Sequence, residues 1–314
     1  MPRRLLSLKS CRFLIMNAVL LCAGSTQDLS AGENEAWFRR DSGIAPAGAV
    51  LPVEFGEGED RLWRTELPPG ISSPCLCGDS IYVTTYTADT KELATVALDR
   101  ASGKVRWKQV APAKTLEAFH AVGSPASSTP ACNGSQVFSF FGSYGLLCYD
   151  LDGKLLWERP MGPFQDEFGA SSSPVLFDGK VFLNEDHDIN SFLIALDQKT
   201  GEVIWKTERT EATRSYATPV VFDNHGRTEL LVAGCLQLAA YDPKDGQKLW
   251  WYDGLSRLVD STPLIVNGEI YFATWTPGGD ADDRIRMEPF ATALTTLDKN
   301  SDTEIGKDEL PEGN

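Results

Sequence analysis

Ala195-Leu196-Asp197-Gln198-Lys199-Thr200-Gly201-Glu202-Val203-Ile204-Trp205 decides the fold, because the chain carries this phrase four times. The other copies are Ala97-Leu98-Asp99-Arg100-Ala101-Ser102-Gly103-Lys104-Val105-Arg106-Trp107, Cys148-Tyr149-Asp150-Leu151-Asp152-Gly153-Lys154-Leu155-Leu156-Trp157 and Ala240-Tyr241-Asp242-Pro243-Lys244-Asp245-Gly246-Gln247-Lys248-Leu249-Trp250. The closing tryptophans are 50, 48 and 45 residues apart. A second marker keeps the same phase: Ser73-Pro74, Thr129-Pro130, Ser173-Pro174, Thr218-Pro219 and Thr262-Pro263. Two markers in step define an internal repeat.

Each unit has strand character. Ser173-Pro174-Val175-Leu176-Phe177 is short and apolar, Asp178-Gly179 is a hairpin turn, and Lys180-Val181-Phe182-Leu183 runs back. Phe192 to Leu196 gives a third strand. A turn ending on Gly201 leads into the fourth, Glu202 to Trp205. Asn133-Gly134 and Asn267-Gly268 place the same hairpin turn in other units. Four antiparallel strands in 40–50 residues is a propeller blade, so the fold class is all-β. Blades bury little alone, so the tryptophans are read as bodies packed between neighbours.

The chain of 314 residues divides into an export signal (1–25), a leader (26–60), propeller blades (61–280) and a C-terminal segment (281–314). Arg3, Arg4, Lys9 and Arg12 precede an apolar run that is short for a membrane span, with Ala23-Gly24-Ser25 as a cleavage site. An exported, periplasmic or cell-surface protein is expected, with no membrane span once the signal is removed. Leu21 before Cys22 argues against a lipid-attachment signal. A net charge of −15 argues against nucleic-acid binding, which needs clustered Lys and Arg. Trp37-Phe38-Arg39-Arg40 is the aromatic spot of the leader and is expected to dock on the propeller. Cys75, Cys77, Cys132, Cys148 and Cys235 are odd in number and do not space as a disulfide framework. They are expected to pack as small hydrophobes, with Cys75 and Cys77 on one strand face.

The Ser-Ser-Pro, Gly-Asp and Ala-Leu-Asp…Gly…Trp pattern, over residues 60–275, resembles the pyrroloquinoline-quinone-type propeller repeat. Exported quinoprotein dehydrogenases use this repeat, and so does a lipoprotein of the outer-membrane β-barrel assembly machine that binds no quinone. The resemblance implies about eight blades, of which this chain carries four and part of a fifth. Truncation, or self-association through open blade edges, is the expected consequence.

Residues 290, 294 and 297 form a helical apolar stripe before Asp298-Lys299-Asn300-Ser301-Asp302-Thr303-Glu304-Ile305-Gly306-Lys307-Asp308-Glu309. Asp298, Asn300, Asp302, Glu304 and Glu309 fall at EF-hand ligand positions 1, 3, 5, 7 and 12, which makes calcium the expected ion. Thr303 replaces the usual glycine, and Pro311 shortens any second helix.

Asn184-Glu185-Asp186-His187-Asp188 is the most polar candidate site, carboxylates beside a histidine between two strands of the third blade. A solvated hairpin loop is the expected setting, with Asp186, His187, Asp188 and the nearby Arg214 offering a surface for binding. Isolated His120 and His225 have no nucleophile pattern around them. The enzyme question is left open, leaning to a non-catalytic scaffold for a protein, peptide or polysaccharide. Pyrroloquinoline quinone is not expected, because the adjacent cysteine pair of many such enzymes is missing. A quinoprotein dehydrogenase, or a fragment of one, is the alternative.

Overall fold

The computed structural model describes residues 35–39, 61–274, 290–305 and 309, all within the compact unit Gly32–Asn314. The export signal, most of the leader and the insertion at 275–289 lie outside the described residues.

Four antiparallel sheets of four strands follow one another in chain order. Blade I is β2 (Cys75–Cys77), β3 (Ser80–Thr87), β4 (Glu92–Asp99) and β5 (Val105–Val110). Blade II is β6 (Ala131–Asn133), β7 (Gln136–Phe141), β8 (Gly145–Asp150) and β9 (Leu155–Pro160). Blade III is β10 (Val175–Phe177), β11 (Lys180–Glu185), β12 (Phe192–Asp197) and β13 (Val203–Glu208). Blade IV is β14 (Val220–Asn224), β15 (Arg227–Gly234), β16 (Gln237–Tyr241) and β17 (Lys248–Asp253). A half-blade, β18 (Leu264–Val266) with β19 (Glu269–Tyr271), packs Ile265 and Ile270 on blade IV. The leader contributes β1 (Glu35–Ala36), paired antiparallel with β6, and α1 (Phe290–Leu297) is the expected helix. This is the architecture of an incomplete β-propeller.

The repeated phrase builds the joints. Each tryptophan pairs across its blade with a small residue: Trp107 with Ala97, Trp157 with Cys148, Trp205 with Ala195 and Trp250 with Ala240. The register shifts just after that pair in all four sheets, where the aspartate turns the chain. The turn is held by the aspartate itself, as when Asp197 Oδ1 accepts from the amides of Lys199 (2.8 Å) and Thr200 (2.9 Å). Gly201 closes it at φ 69°, and an added Cβ would sit 2.5 Å from the Trp157 ring of the preceding blade. Glycine is therefore required twice here, for positive φ and for the ring above it. The indole N–H of the first three tryptophans finds a backbone carbonyl in the next blade, Trp107 to Leu151 (2.8 Å), Trp157 to Gln198 (3.0 Å) and Trp205 to Pro243 (3.2 Å), whereas Trp250 donates to Glu229 Oε2 of its own blade (2.6 Å).

A fifth tryptophan uses the same seat. Trp63 donates to the Arg100 carbonyl (2.9 Å), its ring lies where a Cβ on Gly103 would fall, and Thr65 Oγ1 donates to the Gly103 carbonyl. Thr207 does the same to the Gly246 carbonyl (2.8 Å). Residues 62–66, Leu-Trp-Arg-Thr-Glu, thus occupy the place that Ile204-Trp205-Lys206-Thr207-Glu208 take three joints later.

The Ser/Thr-Pro marker forms a second ladder across the seams. The amides of Ser73, Thr129, Ser173 and Thr218 donate to the hydroxyls of Thr129, Ser173, Thr218 and Thr262, at 3.0–3.2 Å.

One cysteine expectation is overturned. Cys77 and Cys132 are joined by a disulfide between blades I and II, because neighbouring inner strands bring their Cα atoms to 6.3 Å. Cys75, Cys148 and Cys235 are free and buried, as small hydrophobes.

Candidate functional site

The polar run at 184–188 is not a solvated loop. Asn184, Glu185, Asp186 and His187 are buried, with Glu185 at 1% and His187 at 2% exposure. The reason is the connections that run from the outer strand of each blade to the inner strand of the next, over this rim. Asp188 N donates to the Gln165 carbonyl (3.0 Å), Ser215 N to the Asp186 carbonyl (3.3 Å) and Tyr216 N to the Val259 carbonyl (2.9 Å). These links roof the end of β11.

The roof supplies the distant partners. Glu117 comes from the link between blades I and II, Asp166 from that between II and III, and Arg209 and Tyr216 from that between III and IV. Arg209 clasps Asp186 with Nε on Oδ1 (2.7 Å) and Nη2 on Oδ2 (2.9 Å), and its Nη1 donates to the Tyr241 hydroxyl. Such a two-pronged pair is among the stronger polar contacts a protein makes. Gly234 makes room for it, since a Cβ there would lie 2.3 Å from Arg209 Nη2.

His187 stacks on Phe164, centroids 4.0 Å apart at 15°. Its Nε2 is 2.9 Å from Glu185 Oε2 and its Nδ1 is 3.9 Å from Asp166 Oδ2, contacts of opposite charge without hydrogen-bond alignment. Asp166 Oδ1 accepts from Phe168 N and from the Tyr216 hydroxyl, both at 2.9 Å. Glu117 Oε2 accepts from Ala170 N (3.3 Å).

Burial sets the titration. It pushes Glu185 up to about 7 against the pull of His187, and Glu117 up to about 8. Burial works against the His187 cation as well, but Asp166 and Glu185 outweigh it and push the imidazole up to about 9. Asp166 is held below the usual carboxylate range by His187, Phe168 N and Tyr216 despite its burial. The cluster therefore favours a cationic imidazole beside the Asp166 carboxylate, while burial favours the neutral forms of Glu117 and Glu185.

Of the expected surface residues, Asp186 and His187 are buried in this cluster. Asp188 and Arg214 lie at its edge, where Arg214 bridges Asp188 and Glu167. Glu117, Asp166 and Arg209 were not singled out by sequence. Only Arg209 left a signal: Ala111 and Met161 hold the equivalent place, four residues after the tryptophan, in blades I and II.

The crevice between Asp166, Ser172, Asn184, Glu185 and Ser215 is too tight to admit even a water-sized body. Its walls carry His187 together with the Asp166, Glu185 and Asp186 carboxyls.

The C-terminal loop closes on itself. Asp298 Oδ1 accepts from Ser301 N (2.6 Å) and Asp302 N (3.2 Å), and its Oδ2 from Thr303 N (3.0 Å). Asn300 Oδ1 accepts from Asp302 N (2.9 Å), and Asp302 Oδ1 from Glu304 N (2.8 Å). Glu309 is buried and its Oε1 accepts from Lys299 N (2.7 Å) and Asn300 N (3.2 Å). The side chains of Asp298, Asn300, Asp302 and Glu309 thus serve amides of the loop itself. Among the described residues, no group of three His, Cys, Asp or Glu side chains is arranged to hold a metal ion.

A family model described as outer membrane protein assembly factor BamB matches residues 91–276. Among curated relatives, the outer membrane protein assembly factor BamB of Yersinia pestis is 24% identical over 265 residues, 74% of this chain and 61% of that protein. A polyvinylalcohol dehydrogenase of a Pseudomonas species is 30% identical over 151 residues, 43% of this chain and 22% of that one. The chain thus spans less than two thirds of either relative. Among solved structures, BamB of Moraxella catarrhalis aligns at TM-score 0.40 and 18% identity, covering 63% of this chain and 52% of that one. A quinohemoprotein alcohol dehydrogenase of Pseudomonas putida aligns at TM-score 0.47 and 14% identity, covering 67% and 40%.

Proposed function

The chain belongs to the PQQ_2 family, described as outer membrane protein assembly factor BamB, and on that premise we propose that it is an exported, non-catalytic propeller scaffold that binds other polypeptides. The observation that carries this reading is the family match along residues 91–276. Two features of the molecule agree with it. The polar rim of blade III is filled by its own ion pairs, which leaves its acid–base groups no substrate space. The outer strand β17 instead exposes Trp251 (57%) and Tyr252 (62%), residue types enriched where proteins meet. Among the described residues no helix is long and apolar enough to cross a membrane. Export and a periplasmic or cell-surface location belong to the same proposal.

The test is binding of a labelled, unfolded segment of an outer-membrane β-barrel protein, read by fluorescence anisotropy. The expected result is saturable binding with Kd of about 1–100 μM, weakened at least about fivefold in Trp251→Ser/Tyr252→Ser. No binding at the top of that range would overturn the scaffold role.

Calcium at Asp298, Asn300, Asp302, the Glu304 carbonyl and Glu309 is a second element of the proposal. The ion would replace the loop's amide donors as partner of these oxygens. Calorimetry should detect calcium heat that Glu309→Gln abolishes; no heat at millimolar calcium would discard the site.

The 30% identity to a dehydrogenase over 151 residues favours the competing reading, a quinoprotein enzyme. The tight, acidic rim speaks against it.

A further inference from the structure

The inner edges of the blades are where the leader lies. β1 adds to the free edge of β6, with Glu35 opposite Asn133 and Ala36 opposite Cys132. The Ala36 carbonyl accepts a contact from Cys75 Sγ (3.5 Å), and Ala36 packs on the cluster of Cys75, Cys77, Tyr82 and Cys132 at the seam of blades I and II. The next residue, Trp37, packs against two further clusters. One joins blades II and III around Phe140 and Leu183, the other joins III and IV around Phe182 and Tyr241. Phe38 and Arg39 then line an open groove of about 410 Å³ together with Asp260, Leu264, Tyr271 and Phe272 of the half-blade side. Arg39 lies over the Phe38 ring, 5.7 Å from its centroid, and shares this groove with the Asp260 carboxylate. Ala36 and Trp37 therefore touch the seams of blades I/II, II/III and III/IV, and Phe38 and Arg39 line the groove beside the half-blade.

We propose that these inner edges form a binding groove for an extended polypeptide of small–aromatic–aromatic–basic pattern, and that residues 35–39 are its resident occupant in cis. The mode is strand addition: backbone pairing to β6 holds the ligand, and the side-chain seats choose it. Exposed inner edges are templates for such pairing, and among the described residues only that of β6 is covered. The groove that Phe38 and Arg39 help to wall is open beside them, which suits a longer ligand. The pairing spans two residues, so the resident segment owes its occupancy to its tether and yields to a competitor in trans. This inference rests on the scaffold reading and names one site and one ligand chemistry for it.

The experiment uses the full chain and a fluorescent peptide copying residues 33–40. Trp37→Ala in the protein empties the main seat, so the peptide should bind that variant at least tenfold more tightly than the wild type. A peptide with alanine in place of its tryptophan should bind neither. In parallel, excess unlabelled peptide should accelerate amide exchange of residues 35–37 in the wild-type chain, a readout that needs no variant. Equal peptide affinity for both proteins, or leader exchange unchanged by the peptide, would overturn the groove. If the peptide fails while the unfolded β-barrel segment still binds, the groove falls and the scaffold role stands.

Discussion

Residues 184–188 and residues 298–309 are both acidic runs, and they end in opposite environments. The first is roofed by three interblade links and meets Glu117, Asp166 and Arg209, which come from 18 to 67 residues away in sequence. The second is mostly exposed and turns its oxygens onto its own backbone amides. The same residue types give a buried, ion-paired lock in one place and a self-satisfied loop in the other. What separates them is the supply of distant partners, and the propeller supplies those only where its links converge.

Four measurements would break or sharpen that contrast. Arg209→Ala should have the largest effect. It leaves the Asp186 carboxylate buried without its partner, and should cost about 3–5 kcal/mol in urea unfolding. A loss under about 1 kcal/mol would mean that the pair is not the lock described. Gly234→Ala should follow. Its methyl would meet Arg209 Nη2 at 2.3 Å, and the Arg209 guanidinium, fixed on Asp186 and Tyr241, has nowhere to retreat. The expected loss is about 1–3 kcal/mol, and a neutral result would show the clasp to be slack.

Third is the pH dependence. Glu185, pushed up to about 7, and Glu117, pushed up to about 8, stabilise fully below their ordinary value of 4.5 and lose that contribution as pH rises through the shifted values. His187, pushed up from 6.5 to about 9, loses its contribution between those limits. Asp166, held low, acts in the opposite sense and loses its contribution only in acid. Stability should therefore fall from pH 5 to pH 9, at about 1.4 kcal/mol per pKa unit at most. Glu117→Gln should flatten the part below about pH 8. A midpoint that rises over this window would show that the cluster is not buried as described.

The smallest effect belongs to the loop. Asp298→Ala, without calcium, should change the propeller's unfolding by under about 0.5 kcal/mol, because the oxygens it removes are exposed and serve only local amides. A larger loss would place the loop in the cooperative core.

The blades were legible in the sequence because one period carries three requirements at once: an aspartate to hold the turn, a glycine beneath the preceding ring, and a tryptophan to cross the seam. Trp63 escaped because no strand or turn signals of a repeat unit precede it in sequence, although Leu62-Trp63-Arg64-Thr65-Glu66 repeats the chemistry of Ile204-Trp205-Lys206-Thr207-Glu208. The docking of Trp37 was legible as an isolated aromatic in a polar leader; its seat was not. The rim was misread because burial depends on links that no local pattern announces. The Cys77–Cys132 bond was missed for the same reason, being a contact between equivalent inner strands 55 residues apart.

We propose that the rim of blade III locks the propeller and leaves no room for a redox cofactor. The direct test is to incubate the full chain with stoichiometric pyrroloquinoline quinone and excess calcium, desalt it, and record the quinone absorbance of the protein fraction. The predicted result is no retained quinone, with the urea midpoint unchanged. Stoichiometric quinone surviving the column, and lost in Glu185→Gln, would contradict it.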